Sequence, residues 1–149
     1  MFSGWSLLLC HGTKHYVPKD LSSNKIITID TREINKPDMI LNIYEIKCHK
    51  CPLFDRVYFM FCPVFKLEDY IKVLNDVVKK VLKPGGSFIT PMPWLAKIVG
   101  RNESCPSLST HELIVEYMKT HNFINPKPYE TGNVYSPTMY IFKYRKNIK

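Results

Sequence analysis

The sequence lacks a long hydrophobic run. No apolar stretch in its 149 residues approaches the roughly 18 residues that a membrane-spanning helix requires. The run from Ser6 to Cys10 is too short for the apolar core of a signal peptide, and no basic residue precedes it. We therefore expect no membrane association, and we expect a reducing, cytoplasmic location.

Glycine is scarce, with six residues, and the eleven prolines follow no repeat. This composition excludes collagen-like and low-complexity chains. A hydrophobic fraction of 45%, with 13% aromatic residues, suffices for one ordinary core and excludes a wholly disordered chain. The length, together with the absence of a linker-like stretch, predicts a single domain over residues 1–149.

Acidic residues are in deficit. Thirteen Asp and Glu residues against 21 Lys and Arg residues give a formal charge of +8. An excess of this size suits an anionic partner such as a nucleic acid or a nucleotide, although charge also serves solubility alone. Four of the last seven residues are basic: Lys143, Arg145, Lys146 and Lys149. This pattern is typical of a solvated chain end that can also contact phosphates.

A second metal-binding cysteine pair is missing. Cys48 and Cys51 form the only close pair among five cysteines, whereas a structural zinc site needs four ligands. Cys62, Cys105 and His11 would complete such a site only if the fold brought them together. We therefore expect no metal, and a zinc-stabilised interaction module is the least favoured hypothesis.

Short apolar runs alternate with amphipathic segments. The runs predict strands at 6–10, 25–30, 37–43, 55–62, 87–90 and 138–144, the last with an earlier partner near 127–131. Apolar residues at steps of three and four predict helices at 67–82, ended by Pro84-Gly85-Gly86, and at 110–121. The alternation predicts an α/β domain with a mainly parallel sheet and an antiparallel C-terminal edge.

Four segments between residues 25 and 90 resemble class I S-adenosylmethionine-dependent methyltransferases, in the family's order. KIITID ends on Asp30, where the family has an acid that binds the ribose hydroxyls of the cofactor. KPDMILNI resembles the stretch whose polar residue, here Asn42, meets the adenine amino group. FDRVYFMF resembles the fourth strand, and VLNDVVKKVLKPGGSFIT resembles the next helix and the turn before the fifth. The resemblance implies a compact Rossmann-like domain that lacks N-terminal additions.

The resemblance also implies the cofactor S-adenosylmethionine and a set of residues that hold it. These are His11, Gly12, Asp30, Asn42, Ile43 and Cys62. A carboxylate such as that of Asp30 can accept two charge-assisted hydrogen bonds from a cis-diol. The alternative is that Asp30 only caps the turn that follows its strand.

Two segments depart from the family pattern. The first loop of the family is glycine-rich, whereas Cys10-His11-Gly12-Thr13-Lys14 has one glycine. After the fourth strand, relatives that methylate amino groups often carry Asn or Asp before two prolines and an aromatic residue, and this chain has Cys62-Pro63-Val64-Phe65. Cys62 is either a nucleophile, as in pyrimidine C5 methyltransferases, or a buried apolar cysteine, and we favour the second. No catalytic residue is assigned.

Two functions therefore remain open. The first is a methyltransferase that uses S-adenosylmethionine and acts on a nucleic acid or a nucleotide. The second is a catalytically inactive protein of the same fold, a binding or regulatory subunit for a nucleic acid or a protein partner. The single glycine in the first loop favours the second, and the four matching segments favour the first.

Overall fold

The computed structural model describes residues 5–9, 26–33, 37–40, 42–45, 54–59, 66–91, 110–129 and 139–145. Their extended segments form one seven-stranded sheet. The strands are β1 (Ser6–Leu9), β2 (Ile26–Asp30), β3 (Met39–Ile40), β4 (Phe54–Phe59), β5 (Leu82–Pro91), β6 (Phe123–Tyr129) and β7 (Met139–Tyr144).

The strand order is β3-β2-β1-β4-β5-β7-β6. Strands β1 to β5 pair in parallel, and β7 runs antiparallel to both β5 and β6. The predicted α/β sheet, mainly parallel with antiparallel C-terminal strands, is confirmed. The chain order reverses between β1 and β4, and parallel sheets bind ligands beyond the carboxyl ends of their strands at such a switch point.

One continuous helix connects β4 to β5. It consists of α1 (Leu67–Val73), a π-helical segment (Leu74–Val78) and α2 (Lys79–Val81). The predicted end at residue 82 is one residue too late, because Leu82 is already extended, with φ −89° and ψ 130°. The second predicted helix is α3 (Thr110–Thr120). In the described part of the chain, no helix is both long enough and apolar enough to cross a membrane.

In the described residues, three strands differ from the prediction by more than one residue at an end. The expected strand at 37–43 is reduced to β3, because the chain turns at Asn42 into a 3-10 helix (Ile43–Glu45). Strand β5 starts at Leu82 instead of residue 87, with a shift in its pairing to β4. Strand β6 starts at Phe123 instead of residue 127, and its pairing shifts where Asn125 has φ 54°.

The main core lies on one face of the sheet, where the helices pack. Strand β1 is fully buried, as the central strand of a two-sided sheet should be. Its alternate side chains divide between a small cluster of Leu8, Tyr58, Ile89 and Met139 on one face and the main core on the other. The main core includes Leu7, Leu9, Ile29, Val57, Phe59, Tyr70, Val73, Val77, Phe88, Ile114, Met118, Phe123 and Phe142.

The predicted turn at 84–86 lies at the amino end of β5, on the side of the sheet opposite the strand ends of the switch point. Gly85 has φ 80°, which glycine adopts without strain. A Cβ atom on Gly86 would lie 2.8 Å from the carbonyl oxygen of Lys83 and 2.9 Å from that of Asp55. The side chains of Lys83 and Asp55 also form an ion pair, with 3.1 Å between Lys83 Nζ and Asp55 Oδ1. The glycines therefore serve the close approach of β4 and β5.

Candidate functional site

The candidate site is the edge of the sheet where the parallel strands end. Strand β2 ends at Asp30, and β5 carries the buried Thr90 next to its last residue. The predicted contacts His11, Gly12 and Cys62 lie outside the described residues, so their part in a site stays a prediction.

Asp30 is an almost buried carboxylate at this edge, with an exposed fraction of 9%. The backbone N–H of Arg32 donates a hydrogen bond of 2.9 Å to its Oδ1. This is the turn that the alternative interpretation expects of Asp. A carboxylate has about four acceptor positions, so the bond to Arg32 is compatible with hydrogen bonds from a diol. The turn fixes the direction in which the carboxylate points.

Asp38 holds β3 against β2, a role that the sequence alone did not suggest. Its Oδ2 accepts hydrogen bonds from the backbone N–H (2.9 Å) and the hydroxyl (3.2 Å) of Thr28. The backbone N–H of Asp38 donates to Thr28 Oγ1 at 2.8 Å. Since β3 pairs with β2 at only two residue pairs, Ile29–Met39 and Asp30–Ile40, these three bonds provide much of its attachment.

Replacing Asp38 by alanine should therefore loosen β3. The buried N–H of Thr28 would lose its acceptor, which lowers the free energy of unfolding by about 1–3 kcal/mol. Urea denaturation measures this change, and amide exchange at Thr28 should accelerate. Glu33→Ala removes the same charge from an exposed position and serves as the control. Unchanged exchange at Thr28 in the Asp38 variant would show that the bonds are not important.

Asn42 caps the 3-10 helix that follows β3. Its Oδ1 accepts from the N–H of Tyr44 at 2.9 Å, and its own N–H donates to Glu45 Oε1 at 3.0 Å. The reciprocal pattern is that of a capping box. The Asn-x-x-Glu spacing was the sequence signal for it. An amide oxygen has a second acceptor position, so the cap leaves room for one hydrogen bond from an amino group.

Ile43 follows Asn42, and its side chain belongs to the main core. Its contact with a bound ligand would therefore come from the backbone. Beside this turn lie three exposed apolar side chains: Met39, Ile40 and Tyr44, with exposed fractions of 39%, 56% and 45%. They form a surface on which a planar heterocycle could pack.

Tyr44 also contacts the helix between β4 and β5. Lys72 Nζ lies 5.3 Å from the centre of its ring. Burial raises the pKa of Tyr44, and the negative charges of Asp69 and Asp76 add to the effect. The phenol therefore stays neutral at physiological pH and acts here as an aromatic surface, not as a base.

Behind the edge, Tyr70 and Thr90 connect the helix to β5. The buried hydroxyl of Tyr70 donates to Thr90 Oγ1 at 2.9 Å, and its ring packs edge-on against Phe59, with 5.1 Å between the ring centres. Burial raises the pKa of Tyr70 far above its ordinary value, so the hydroxyl keeps its proton. The pair fixes the ends of β4 and β5 relative to the helix.

Tyr70→Phe should lower the free energy of unfolding by about 1–2 kcal/mol, because it leaves the buried Thr90 hydroxyl without this donor. Urea denaturation of Tyr70→Phe, Thr90→Val and the double variant measures the coupling. The double variant should be less destabilised than the sum of the two single variants. Strictly additive losses would mean that the bond contributes nothing.

Metal binding finds no support in the described residues, which contain no group of three His, Cys, Asp or Glu residues placed to hold an ion. Cys48 and Cys51 lie outside them.

The fold is that of class I methyltransferases, although no family model and no curated protein matches the sequence. The N-methyltransferase NodS of Bradyrhizobium japonicum WM9 is 11% identical, with 95% of this chain and 85% of that chain covered and a TM-score of 0.55. A 30S ribosomal A1408 methyltransferase from an uncultured bacterium is 15% identical over 98% and 90% of the two chains, with a TM-score of 0.55.

A third structure of the same fold contains two bound molecules. The 1,6-didemethyltoxoflavin-N1-methyltransferase of Burkholderia thailandensis has 1,6-didemethyltoxoflavin and S-adenosylhomocysteine bound. It is 11% identical to this chain, with 97% of this chain and 73% of that chain covered and a TM-score of 0.55. At identities this low, the structural similarity of these proteins to this chain establishes a shared fold and nothing more.

Proposed function

We propose that this protein binds S-adenosylmethionine at the carboxyl ends of its parallel strands and transfers the methyl group to a nucleic acid or a nucleotide. The observation that carries the proposal is Asp30, an oriented and almost buried carboxylate that ends β2, next to the central strand of a methyltransferase sheet. A carboxylate in this place can accept hydrogen bonds from a ligand with adjacent donors, and a ribose cis-diol has them.

The described residues fit the remainder of the cofactor. Asn42 presents an amide beside the turn, and we assign the backbone of Ile43, the next residue, to contact with adenine. The exposed Ile40 and Tyr44 offer apolar surface for the adenine ring. His11 and Gly12 follow β1 in the sequence and Cys62 follows β4, so we assign them to the methionine side of the same pocket.

When bound, S-adenosylmethionine supplies a methyl group that is activated by its attachment to a sulfonium. The chain's own contribution is to hold the acceptor in line with that methyl group. Positioning of this kind can supply several kcal/mol of the barrier reduction, about 7–11 kcal/mol in the best cases. The buried pair of Tyr70 and Thr90 supports this geometry, because it fixes β5 against the helix behind the site.

The charge of the chain favours an anionic acceptor. The formal charge of +8 attracts phosphates, which are present in nucleic acids and nucleotides. One protein of the same fold is a methyltransferase of 30S ribosomal A1408, and another is bound to a small heterocycle. Both kinds of acceptor present a heterocyclic base to the methyl group.

A second function, an inactive binding or regulatory subunit, is favoured by a different observation. The loop after β1 has the single glycine Gly12, and the segment after β4 has Cys62 where related enzymes carry Asn or Asp. A regulatory subunit would also use the exposed apolar side chains Met39, Ile40 and Tyr44 to contact a protein partner.

Two experiments in sequence test the proposal. Calorimetric titration with S-adenosylmethionine should show micromolar binding, and a radiolabelled methyl group should then appear in RNA or in nucleotides. Binding without transfer to either acceptor would support the regulatory alternative. Absence of binding up to millimolar concentrations would overturn the enzyme hypothesis.

A further inference from the structure

Positive charge gathers at the end of the domain opposite the candidate site. Helix α2 carries Lys79 and Lys80 in its last turn, ends at Val81 and leads directly into the amino end of β5. Helix α3 carries Lys119 in its last turn and leads into the amino end of β6. Strand β7 finishes at the same end, where the N–H of Arg145 donates to the carbonyl oxygen of Asn122 at 2.8 Å.

Two aromatic rings lie among these cations. The rings of Tyr117 and His121 are 5.3 Å apart, with 39° between their planes. Burial and the nearby charge of Lys79 lower the pKa of His121, so this imidazole is neutral at pH 7. Both rings are partly exposed. We call the set of Lys79, Lys80, Lys119, Arg145, Tyr117 and His121 the basal surface.

From this juxtaposition we infer that the basal surface binds single-stranded nucleic acid, with the cations on its phosphates and the two rings stacked on its bases. The inference rests on the proposed function, because the bound nucleic acid would be the acceptor in the proposed methyl transfer. Its binding test does not need the cofactor.

The helix dipole explains only part of the arrangement. Lysines in the last turn of a helix interact favourably with its carbonyl end, and this accounts for each lysine separately. The dipole does not explain why the ends of α2, α3 and β7 lie at the same end of the domain. That arrangement brings like charges together. Lys79 is also half-buried, and this burial lowers the pKa of its ammonium. An anionic partner would offset both costs.

Few carboxylates oppose this charge in the described residues. Asp55 is paired with Lys83 on the same side of the sheet. Asp76 lies one helical turn before Lys79 and Lys80, and Glu116 precedes Tyr117 on α3, so two carboxylates accompany the four cations of the basal surface. In the sequence, two further cations, Lys146 and Lys149, follow Arg145 and continue the positive charge.

The aromatic pair favours a nucleic acid over other anionic partners. Bases stack on exposed rings between cations, a pattern common to proteins that bind single strands. A membrane surface would require apolar side chains that insert into lipid. The exposed large apolar side chains of the described residues are Met39, Ile40 and Tyr44, and they lie beside β3 at the other end of the sheet.

The separation between the two ends sets a length for the partner. From Met139 to Tyr144, β7 has six residues, and at about 3.3 Å per residue it spans roughly 20 Å. A single strand held on the basal surface must therefore cover at least this distance to reach the candidate site, which takes several nucleotides. We expect short nucleotides to bind this surface weakly.

Fluorescence anisotropy with a labelled single-stranded RNA of about 20 nucleotides tests the inference. The variant is Lys79→Gln/Lys80→Gln/Lys119→Gln. Its matched control, Lys66→Gln/Lys72→Gln/Lys127→Gln, loses the same charge from exposed positions elsewhere. At 0.1 M salt the basal variant should bind about 100-fold more weakly, and its log–log salt slope should fall by about 2, because each phosphate contact contributes about 0.7.

A second pair of variants tests the stacking. Tyr117→Leu should weaken RNA binding about tenfold without a change in the salt slope, since it removes a ring and no charge. Tyr117→Phe keeps a ring at this position and should retain the affinity for RNA.

Several outcomes would overturn the inference. Equal losses in the two triple variants would mean that net charge alone attracts RNA. Binding to vesicles that contain anionic lipid, without binding to RNA, would assign the surface to a membrane. The proposed function fails separately: S-adenosylmethionine should bind the basal triple variant with unchanged affinity, and Asp30→Ala should bind RNA like the unchanged protein.

Discussion

Gly86→Ala should be among the most destabilising single substitutions in this protein, at about 3 kcal/mol or more. The new Cβ would lie 2.8 Å and 2.9 Å from two carbonyl oxygens and 2.7 Å from Leu82 Cδ1. The backbone cannot easily retreat, because Leu82 pairs with Phe54 before the turn and Ser87 pairs with Arg56 after it. The urea midpoint, followed by circular dichroism, measures the loss.

Gly85→Ala is the matched control for this prediction. A Cβ atom at Gly85 meets nothing within 4 Å, so only the positive φ of 80° is unfavourable. Strain of this kind costs about 1–2 kcal/mol. If Gly86→Ala lowered the free energy of unfolding no more than Gly85→Ala, β4 and β5 would not approach each other as closely at this turn as the structure has them. If the Gly86 variant does not fold, the modest loss at 85 still separates the two effects.

Asp30→Ala should weaken the binding of S-adenosylhomocysteine by about 100-fold or more. Two charge-assisted hydrogen bonds to the ribose diol would be lost, at about 1.5–3 kcal/mol each, and 1.4 kcal/mol corresponds to a factor of ten. Asp30→Asn is the informative companion, because an amide oxygen can still accept from Arg32 while the charge is gone. Isothermal titration calorimetry measures both variants.

The two Asp30 variants separate the roles of the residue. A loss in both, with the fold intact by circular dichroism, assigns the carboxylate charge to the ligand. A loss in Asp30→Ala alone would mean that the turn bond to Arg32, rather than the charge, shapes the pocket. Unchanged affinity in both variants would leave Asp30 with the turn as its only role.

Local sequence patterns predicted the parts of the fold that depend on neighbouring residues. The β-branched run that ends at Asp30 forms β2, and the apolar periodicity from residue 67 forms the helix up to Val81. The π-helical segment Leu74–Val78 left no sign in that periodicity, because its buried residues Leu74, Val77 and Val78 still fall at steps of three and four. The start of β5 at Leu82 depends on pairing with Phe54, which no local pattern shows.

The candidate site shows the same division. Asp30 was selected because the segment that it ends resembles the cofactor-binding strand of the methyltransferases, and it is the last residue of β2 in the structure. The attachment of Asp38 to Thr28 joins residues ten positions apart and appears only once β3 lies beside β2. The cations of the basal surface come from separate segments of the sequence. They share one end of the domain only because β7 lies between β5 and β6.

The most direct test of the central claim is an ¹⁵N–¹H NMR titration of the unchanged protein with S-adenosylhomocysteine. We predict that the largest shifts fall on the amides of Asp30, Arg32, Asn42 and Ile43, at the carboxyl ends of β2 and β3. The absence of shifts up to millimolar ligand would contradict a cofactor site at this edge. Shifts confined to the basal surface, at His121 and Arg145, would contradict it equally.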